Sequence, residues 1–419
     1  MAGIYGRLMA LIVQQSRATA GTVPPASVPA PPDLSDPLPT LPEAELLRPG
    51  VVLTHGVRPD YEAKHISKSH LADHLGHVVV TAARVPGVDI VDRAPFKYLG
   101  GAYRKDGTLV SESALWRRLA RGMDCATMAY PSLPKATAQI PAGVFGGVLF
   151  PHFGHLLVES TARSWWLVEH EPTLPLVLQF QAGTDVIPKY AHQLFRLAGV
   201  GLHVVSKGGL SEVDRLVVPD PALVERMHGH PYFLKFFDRV RSAALTNPIK
   251  GEYGDLLFVA RGAGVAQVFG EELVATELVR QGYRVLDPTA TSLEEQIVAF
   301  SKATHIVGSI GSAMHNIVHA VRAQRVAYLV RQGAVSATFP AIDQACHRHE
   351  AHYFYVGLTP LMPHGQLDGP YLIDPELACH LLYENGFIQK RPEPSHCDVL
   401  GSRDAYMRDW AAKSTALKS

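Results

Sequence analysis

The sequence lacks the features that define several large classes of protein. Lysine plus arginine and aspartate plus glutamate number 39 each, so no charge excess favours a nucleic acid or an anionic membrane as the main partner. No hydrophobic run approaches the ~20 residues that cross a bilayer. The four cysteines form no C-x-x-C pair, which favours reduced thiols in a cytoplasmic protein. A short apolar patch, LMALIV at residues 8–13, leaves peripheral attachment to the inner face of a membrane as an alternative.

Length and local composition indicate where the chain folds. The 419 residues suffice for two domains with cores of ordinary size. Residues 1–50 contain a proline-rich stretch and are predicted to form a disordered tail. Short strand-like runs fill residues 51–109, with a hairpin signal at Asp106–Gly107. They predict an antiparallel N-terminal region.

From residue 146 onward, strand and helix patterns alternate, which is typical of parallel strands joined by crossover helices. Residues 222–250 are predicted to form a helix and a connector. A second series opens with DLLFVAR at residues 255–261 and repeats as β-α-β-α-β-α-β, the order of a Rossmann-like domain. Ser292 and Glu295 within this series have the spacing of a capping box.

These patterns together predict an α/β fold. Two Rossmann-like domains, at residues 51–248 and 249–375, would face each other across a cleft. The tail at 1–50 would precede them, and a helical extension at 376–419 would follow.

The segment ATHIVGSIGSAMHNIVHA, residues 303–320, has the pattern of a buried strand, a glycine turn and the start of a helix. Such a turn directs backbone N–H groups and the positive end of a helix dipole towards one point, where an anion is favoured. Gly308 and Gly311 permit a close backbone approach that a Cβ would block. The pattern predicts a phosphate-bearing ligand, with an ordinary strand-to-helix connection as the structural alternative.

The same turn carries side chains that can form hydrogen bonds. Ser309 and Ser312 flank Gly311, and His315 and Asn316 fall in the first turn of the predicted helix. The last two could donate to a phosphate or a sugar, although Asn316 could instead cap local backbone.

Arg261 ends the first strand of the second domain. In an open α/β sheet, the carboxyl ends of the strands line the ligand crevice. An arginine at that place would neutralise a diphosphate with fixed planar donors. An exposed charge at a strand end, of little energetic consequence, is the alternative.

A second informative stretch, HFGHLLVESTARSWW at residues 152–166, predicts a helix with ionisable groups on an apolar background. His155 and Glu159 are four residues apart and share a helical face, which Arg163 extends by one turn. Because buried ionisable groups are costly unless they pair, Glu159 is predicted to orient His155 as a proton acceptor. Arg163 would hold an anion or the glutamate. A paired row without a function is the structural alternative.

Three blocks of the sequence, in this order, resemble the family 61 glycosyltransferases, particularly bacterial members of capsule or surface-polysaccharide synthesis. The family's G-H-x-x-x-E-x-x-x-R-x-W helix is matched by Gly154, His155, Glu159, Arg163 and Trp165. The other two blocks are the strand that ends in Arg261 and the glycine turn with Gly308, Gly311, Ser312 and Asn316. Gly262 departs from the pattern, since members often carry a polar or basic residue there.

The resemblance implies a GT-B architecture, no metal or other cofactor, and inversion at the anomeric carbon. It implies that residues 249–375 bind a nucleotide-sugar donor and that residues 51–248 bind a glycan or lipid-linked glycan acceptor. His155 would deprotonate the acceptor hydroxyl while Glu159 fixes its tautomer, or the carboxylate would itself be the base. The chain contains no D-x-D motif, which counts against a transferase that holds a metal with two aspartates.

Other functions remain as alternatives. A dinucleotide or phosphate-ester enzyme is disfavoured, because the turn is not G-x-G-x-x-G and no acidic residue ends the strand RVAYLV. A catalytically inert nucleotide- or glycan-binding subunit would share the motifs, and only the pair His155 and Glu159 argues against it. Metal binding by the histidines near 70–77 and 347–352 is also disfavoured, since 21 histidines form such groups by chance.

Overall fold

The structure, a computed structural model, describes most of the chain from residue 136 onward. The described residues are 52–55, 72–81, 101–104, parts of 110–124, and 136–416 with gaps at 137, 171, 181–185, 206–209, 220, 227, 250, 262–266, 332–334, 347–348, 359–368 and 393–395. The predicted tail at 1–50, the Asp106–Gly107 hairpin signal and Gly262 lie outside them.

Strands and helices alternate along the described chain. The strands are β1 (Val52–His55), β2 (Ala72–Thr81), β3 (Gly101–Arg104), β4 (Arg117–Leu119), β5 (Gly122–Asp124), β6 (Ala138–Leu149), β7 (Leu176–Phe180), β8 (Leu202–Val205), β9 (Leu210–Val218), β10 (Leu223–Val224), β11 (His228–Gly229), β12 (Leu256–Val259), β13 (Val268–Phe269), β14 (Arg284–Leu286), β15 (His305–Ser309), β16 (Arg325–Val330), β17 (Glu350–Tyr355) and β18 (Tyr371–Leu372). The longer α-helices are α1 (Ser164–His170), α2 (Lys189–Leu197), α3 (Leu234–Leu245), α4 (Glu271–Arg280), α5 (Leu293–Lys302), α6 (Thr338–Cys346), α7 (Pro375–Glu384) and α8 (His396–Ala416). A single α-helical turn, Phe153–His155, precedes a π-helix at Leu156–Ser160, and 3₁₀ helices span Pro231–Phe233 and Ser312–His319.

The first sheet has six strands in the order β3-β2-β9-β6-β7-β8. Strands β9, β6, β7 and β8 are mutually parallel, whereas β2 is antiparallel to both β9 and β3. The carboxyl half of β6 and most of β7 are buried, as is usual for parallel strands covered on both faces. Because β6 and β9 are parallel neighbours, the residues that follow Leu149 and Val218 emerge at the same edge.

The second sheet has the order β1-β17-β16-β15-β12-β14. Its pairings are parallel except for that of β1 with β17. Strand β15 lies between β12 and β16, so the segments that follow Val259, Ser309 and Val330 emerge side by side at one edge. The mixed α/β class and its parallel sheets are therefore confirmed.

Strand β1 joins the sheet of the other predicted domain. Val52–His55 pairs with Ala351–Phe354 of β17, although the sequence analysis assigned it to the 51–248 segment. Its local pattern predicts a strand but carries no information about the partner, because strand pairing is set by tertiary contacts.

Helix α3 connects the helical layers of the two sheets. It packs against α1 and α2, which follow strands of the first sheet, and against α5 and the 3₁₀ helix Ser312–His319 of the second. Phe236 and Phe237 of α3 are completely buried in an apolar cluster that includes residues of both sheets. Burial of this apolar surface stabilises the contact between the two halves.

The N-terminus of α5 confirms the predicted capping box. The Ser292 hydroxyl accepts a hydrogen bond from the Glu295 N–H at 3.2 Å, and the Glu295 carboxylate accepts one from the Ser292 N–H at 3.1 Å. The box fixes where α5 begins and thereby where its carboxyl end delivers the chain into β15. Among the helices that the structure describes, none is long and apolar enough to cross a bilayer.

A buried histidine in this core predicts acid sensitivity of the fold. His319 is completely buried, its ring meets Phe237 edge-on at 5.2 Å, and within the described residues neither ring nitrogen has a hydrogen-bond partner. Burial, followed by the charge of Arg241, lowers the pKa of His319 to about 3. An unfolded histidine accepts a proton below its ordinary pKa, whereas His319 in the fold does not until far lower pH. Acid therefore favours the unfolded chain between these two values.

We expect His319→Leu to remove the contribution of one titrating group to the pH dependence of stability. The free energy of unfolding of the wild type should then fall, relative to the variant, by about 1.4 kcal/mol per pH unit below pH 6. Denaturant unfolding between pH 4.5 and 7.5 measures this difference. Phe237→Leu is the matched control, because it disturbs the same contact without removing a titrating group. Parallel curves for the wild type and His319→Leu would contradict a neutral, buried His319.

Candidate active site

His155 and Glu159 are brought together by an irregular helical segment that follows β6. The helix predicted over this stretch is not continuous, since a π-helix at Leu156–Ser160 and a turn separate the first helical turn from α1. Glu159 Oε2 lies 2.7 Å from His155 Nδ1, so the predicted pair does form. π-Helical segments are rare and occur frequently at functional sites.

The two side chains differ in their exposure to solvent. The Glu159 side chain is 4% exposed, whereas that of His155 is 30% exposed. A buried carboxylate at Nδ1 favours the tautomer with its proton on that nitrogen, which leaves Nε2 as the basic atom. The arrangement suits a histidine that takes a proton from a bound molecule.

A second carboxylate, Glu225, approaches the same histidine. Glu225 Oε1 lies 3.8 Å from His155 Nδ1, and the Glu225 side chain is 5% exposed. Thr338 Oγ1, at the start of α6, donates to the same oxygen at 3.5 Å. Two glutamates therefore flank the His155 imidazole. The sequence motif contains only one of them, Glu159, and did not indicate the other.

The sequence analysis missed Glu225 because it assigned residues 222–250 to a helix and a connector. That assignment is wrong for the first part, where β10 and β11 form a small hairpin and only Leu234–Leu245 is α-helical. The available signal was positional: Glu225 follows β9, whose carboxyl end lies beside that of β6.

His155, Glu159 and Glu225 could also hold a divalent cation. Their ligand atoms lie within 4.8 Å of one another, and imidazole nitrogen and carboxylate oxygen are both ligands of zinc in proteins. The histidines near residue 350 are engaged otherwise, since His349 Nε2 is 2.7 Å from Asp343 and His352 Nε2 is 3.4 Å from Glu350. The histidines near residues 70–77 lie outside the described side chains. Among those that are described, the candidate metal ligands are therefore His155 and its two carboxylates.

Arg163 is buried beside His155 and its two carboxylates. Contrary to the sequence prediction, its side chain does not extend the helical face of His155 and Glu159. Its guanidinium donates to the Pro219 carbonyl and lies 5.5 Å from the centroid of the Phe145 ring. The turn after the π-helix rotates Arg163 away from the direction that a regular helix would give it. Arg163 still lines one cavity together with Glu159, Glu225 and Gln179.

The glycine turn is tighter than the sequence analysis expected. Ser312–His319 is a 3₁₀ helix and not the start of an α-helix. In a 3₁₀ helix residues three apart share one face, and Asn316 and His319 accordingly are both completely buried. Asn316 Nδ2 donates to Gln296 Oε1 at 3.1 Å, which corrects the expectation that Asn316 faces a phosphate or a sugar.

Gly308 and Ser309 support the turn from within the sheet. A Cβ on Gly308 would lie 3.1 Å from the Val259 side chain and would also meet Met314. The buried Ser309 hydroxyl donates to Glu271 at the start of α4. Both residues therefore shape the turn from within the fold.

Gly311 and Arg261 lie in direct contact. The backbone of Gly311 is extended, a conformation that any residue adopts. A Cβ there would overlap the Arg261 guanidinium, so a larger residue would displace that side chain. The backbone N–H of Arg261 donates to Glu271 Oε2 at 2.8 Å. Arg261 is thereby held over the glycine turn, as the sequence analysis expected for an anion-binding arginine.

The charges around Arg261 are buried. Burial lowers the pKa of Arg261, while Glu271 and Tyr371 oppose the shift. Burial raises the pKa of Glu271, and its hydrogen bonds from Ser309 and the Arg261 backbone act in the opposite sense. The low local dielectric strengthens any interaction of Arg261 with an anion.

The histidine segment and the glycine turn meet across the two sheets. His152 Nε2 lies 3.4 Å from Ser312 Oγ, and His315 Nδ1 lies 3.2 Å from the Gly154 carbonyl oxygen. Burial lowers the pKa of His315 to about 4, so its neutral ring donates to that carbonyl at neutral pH. Burial, followed by the charges of His155 and Arg261, lowers the pKa of His152.

These contacts bring His155 with its two carboxylates and the glycine turn with Arg261 to one site in an α/β fold. The model of the family described as Glycosyltransferase 61 matches residues 153–327. This match confirms the resemblance to glycosyltransferase family 61 over these residues and supports glycosyltransferase activity, the transfer of a glycosyl group from a donor to an acceptor. A search among curated proteins found no match to the chain.

The matched segment contains most of the site described above. It begins at Phe153, two residues before His155, and includes Glu225, Arg261 and the whole glycine turn. It ends at Ala327, within β16.

Proposed function

We propose that the protein is an inverting, metal-independent glycosyltransferase that uses a nucleotide-sugar donor. The contact that carries the proposal is that of His155 with the buried Glu159, beside the contact between His152 and Ser312 of the glycine turn. Together these contacts support a general base and a binding site for the leaving group within one cleft. Two parallel sheets that meet there are compatible with the GT-B architecture.

The donor would bind at the carboxyl edge of the second sheet. Its diphosphate would rest on the turn at Gly311 and Ser312, with the Arg261 guanidinium alongside. In the reaction the bond between the anomeric carbon and the phosphate oxygen breaks, and that oxygen keeps the electron pair. Positive charge at Arg261 and turn N–H groups would stabilise the developing charge.

The acceptor would bind on the side of the first sheet. His155 Nε2 would take the proton of the acceptor hydroxyl as its oxygen bonds to the anomeric carbon from the face opposite the leaving group. Glu159, at 2.7 Å from Nδ1, would stabilise the imidazolium that forms. The adjoining cavity offers polar groups for part of an acceptor, since Gln179 is 2% exposed and its Oε1 has no hydrogen-bond partner among the described residues.

The biological setting that we propose is the synthesis of capsule or surface polysaccharide in the cytoplasm. A lipid-linked acceptor would bring the enzyme to the inner face of the membrane. A catalytically inert binding subunit is the other proposal, which the assay below separates.

A nucleotide-release assay tests the proposal. Purified protein is incubated with UDP-, GDP-, CMP- and dTDP-sugars and a mixture of glycan acceptors, with and without a chelator. We expect one donor to release its nucleotide, only when an acceptor is present, and in the chelator as well. NMR of the product should show an inverted anomeric configuration.

Each other outcome of the assay is informative. Loss of turnover in chelator would assign a cation to His155, Glu159 and Glu225 and contradict metal independence. Nucleotide binding without release from any donor would favour the inert subunit. Retention at the anomeric carbon would contradict His155 as the base of a single displacement.

A further inference from the structure

Arg331 lies at the glycine turn but outside residues 153–327, which the family model matches. It directly follows β16, whose neighbour β15 leads into the turn, and β12 on the other side leads to Arg261. From the position of a Cβ on Gly311, Arg331 Nη1 is 3.9 Å away. Two arginines therefore border one glycine at the edge of the sheet.

The Arg331 guanidinium is buried with donors to spare. The residue is 8% exposed, and its Nε and Nη1 atoms have no hydrogen-bond partner among the described residues. The Tyr371 ring supports it from one side, with the guanidinium carbon 4.1 Å from the ring centroid. A buried donor without a partner is costly, so a ligand that accepts hydrogen bonds from Arg331 would be favoured here.

The local charges do not balance. Burial, followed by the positive charge of the nearby Arg261, lowers the pKa of Arg331 to about 10. Glu271 is the carboxylate that acts on both guanidinium groups. Among the described residues, even an ionised Glu271 leaves one excess positive charge beside the turn, which a bound anion would compensate.

We infer that Arg331 is a second phosphate-binding residue, which together with Arg261 makes the site selective for a diphosphate over a monophosphate. The inference rests on the proposed donor site and deepens it. One phosphate contacts Arg261 and the turn, and the other contacts Arg331, whose planar donors match two phosphate oxygens. A nucleoside monophosphate carries no second group for Arg331.

Titration calorimetry of the full chain tests this role with UDP, GDP, the corresponding monophosphates and inorganic pyrophosphate. Arg331→Gln should weaken diphosphate and pyrophosphate binding by about tenfold to a hundredfold and monophosphate binding by a smaller factor. Arg331→Lys should be intermediate, because it keeps the charge but loses the planar fork. Arg325→Gln, at the opposite end of β16, is the matched control and should bind as the wild type does.

Thermal unfolding separates this role from a structural one. Without ligand, Arg331→Gln should unfold at the same temperature as the wild type or higher, since the substitution removes a buried charge beside Arg261. A pyrophosphate-induced rise in unfolding temperature should be smaller in the variant. A lower unfolding temperature together with unchanged diphosphate affinity would assign Arg331 to packing and overturn the inference.

The remaining outcomes distinguish this inference from the proposed function. Equal losses for diphosphates and monophosphates would overturn the selectivity. Binding of pyrophosphate that depends on Arg331, in a protein that releases nucleotide from no donor, would uphold the diphosphate site and contradict catalysis. A wild type that binds neither nucleotides nor pyrophosphate would contradict both.

Discussion

Replacing His155 by alanine or Glu159 by glutamine is expected to lower turnover by about 10²- to 10⁴-fold, the usual contribution of a general base. Donor affinity should stay near that of the wild type, because neither side chain belongs to the anion-binding turn. The two variants act on one unit, since Glu159 holds the imidazole at 2.7 Å. Their effects should therefore not add in the double variant.

Steady-state kinetics and calorimetry with the same donor measure the two quantities separately. His170→Ala is the matched control, because His170 lies exposed on the helix that follows the same segment. Imidazole in the buffer should restore part of the turnover of His155→Ala, which a structural defect would not allow. Near wild-type turnover in both variants would contradict the assignment.

Glu225 provides a graded comparison within the same group. Its carboxylate is 3.8 Å from His155 Nδ1, against 2.7 Å for Glu159. Glu225→Gln should thus reduce turnover less than Glu159→Gln, since the closer carboxylate still fixes the tautomer. A larger loss in Glu225→Gln would make Glu225 the carboxylate that supports the base.

The sequence predicted the regular parts of the fold well, because those parts depend on local patterns. Apolar, β-branched runs became β12, β15 and β16, and the Ser292–Glu295 box began α5 as expected. The His155–Glu159 pair was also predictable, since a spacing of four brings side chains together on a helix. It formed although a π-helical segment replaced the regular one.

The parts that could not be predicted depend on contacts between distant segments. Glu225 reaches His155 through a hairpin whose place is set by the pairing of β9 with β6. Arg331 belongs to the site because β15 and β16 are neighbours, which the order of strands along the chain does not require. Asn316 was assigned to the ligand because the sequence spacing fits an α-helix, whereas the observed 3₁₀ helix buries it.

Arg261→Ala is expected to weaken donor binding by about tenfold to a hundredfold, because it removes a charge-assisted contact to a phosphate in a buried site. Gly311→Ala should weaken binding for a related reason. Its methyl group would occupy the place of the Arg261 guanidinium, so the arginine must move away from the turn. Two changes on different segments therefore remove the same contact.

This shared cause predicts that the two losses do not add. In the Arg261→Ala background no guanidinium remains to be displaced, and Gly311→Ala should cost little more. The coupling free energy from the four calorimetric titrations should be about 1–3 kcal/mol. Gly254→Ala is the matched control, since a Cβ there meets no atom within 4 Å among the described residues. Additive losses would show that Gly311 serves the ligand directly, and unchanged affinity in Arg261→Ala would remove the arginine from the donor site.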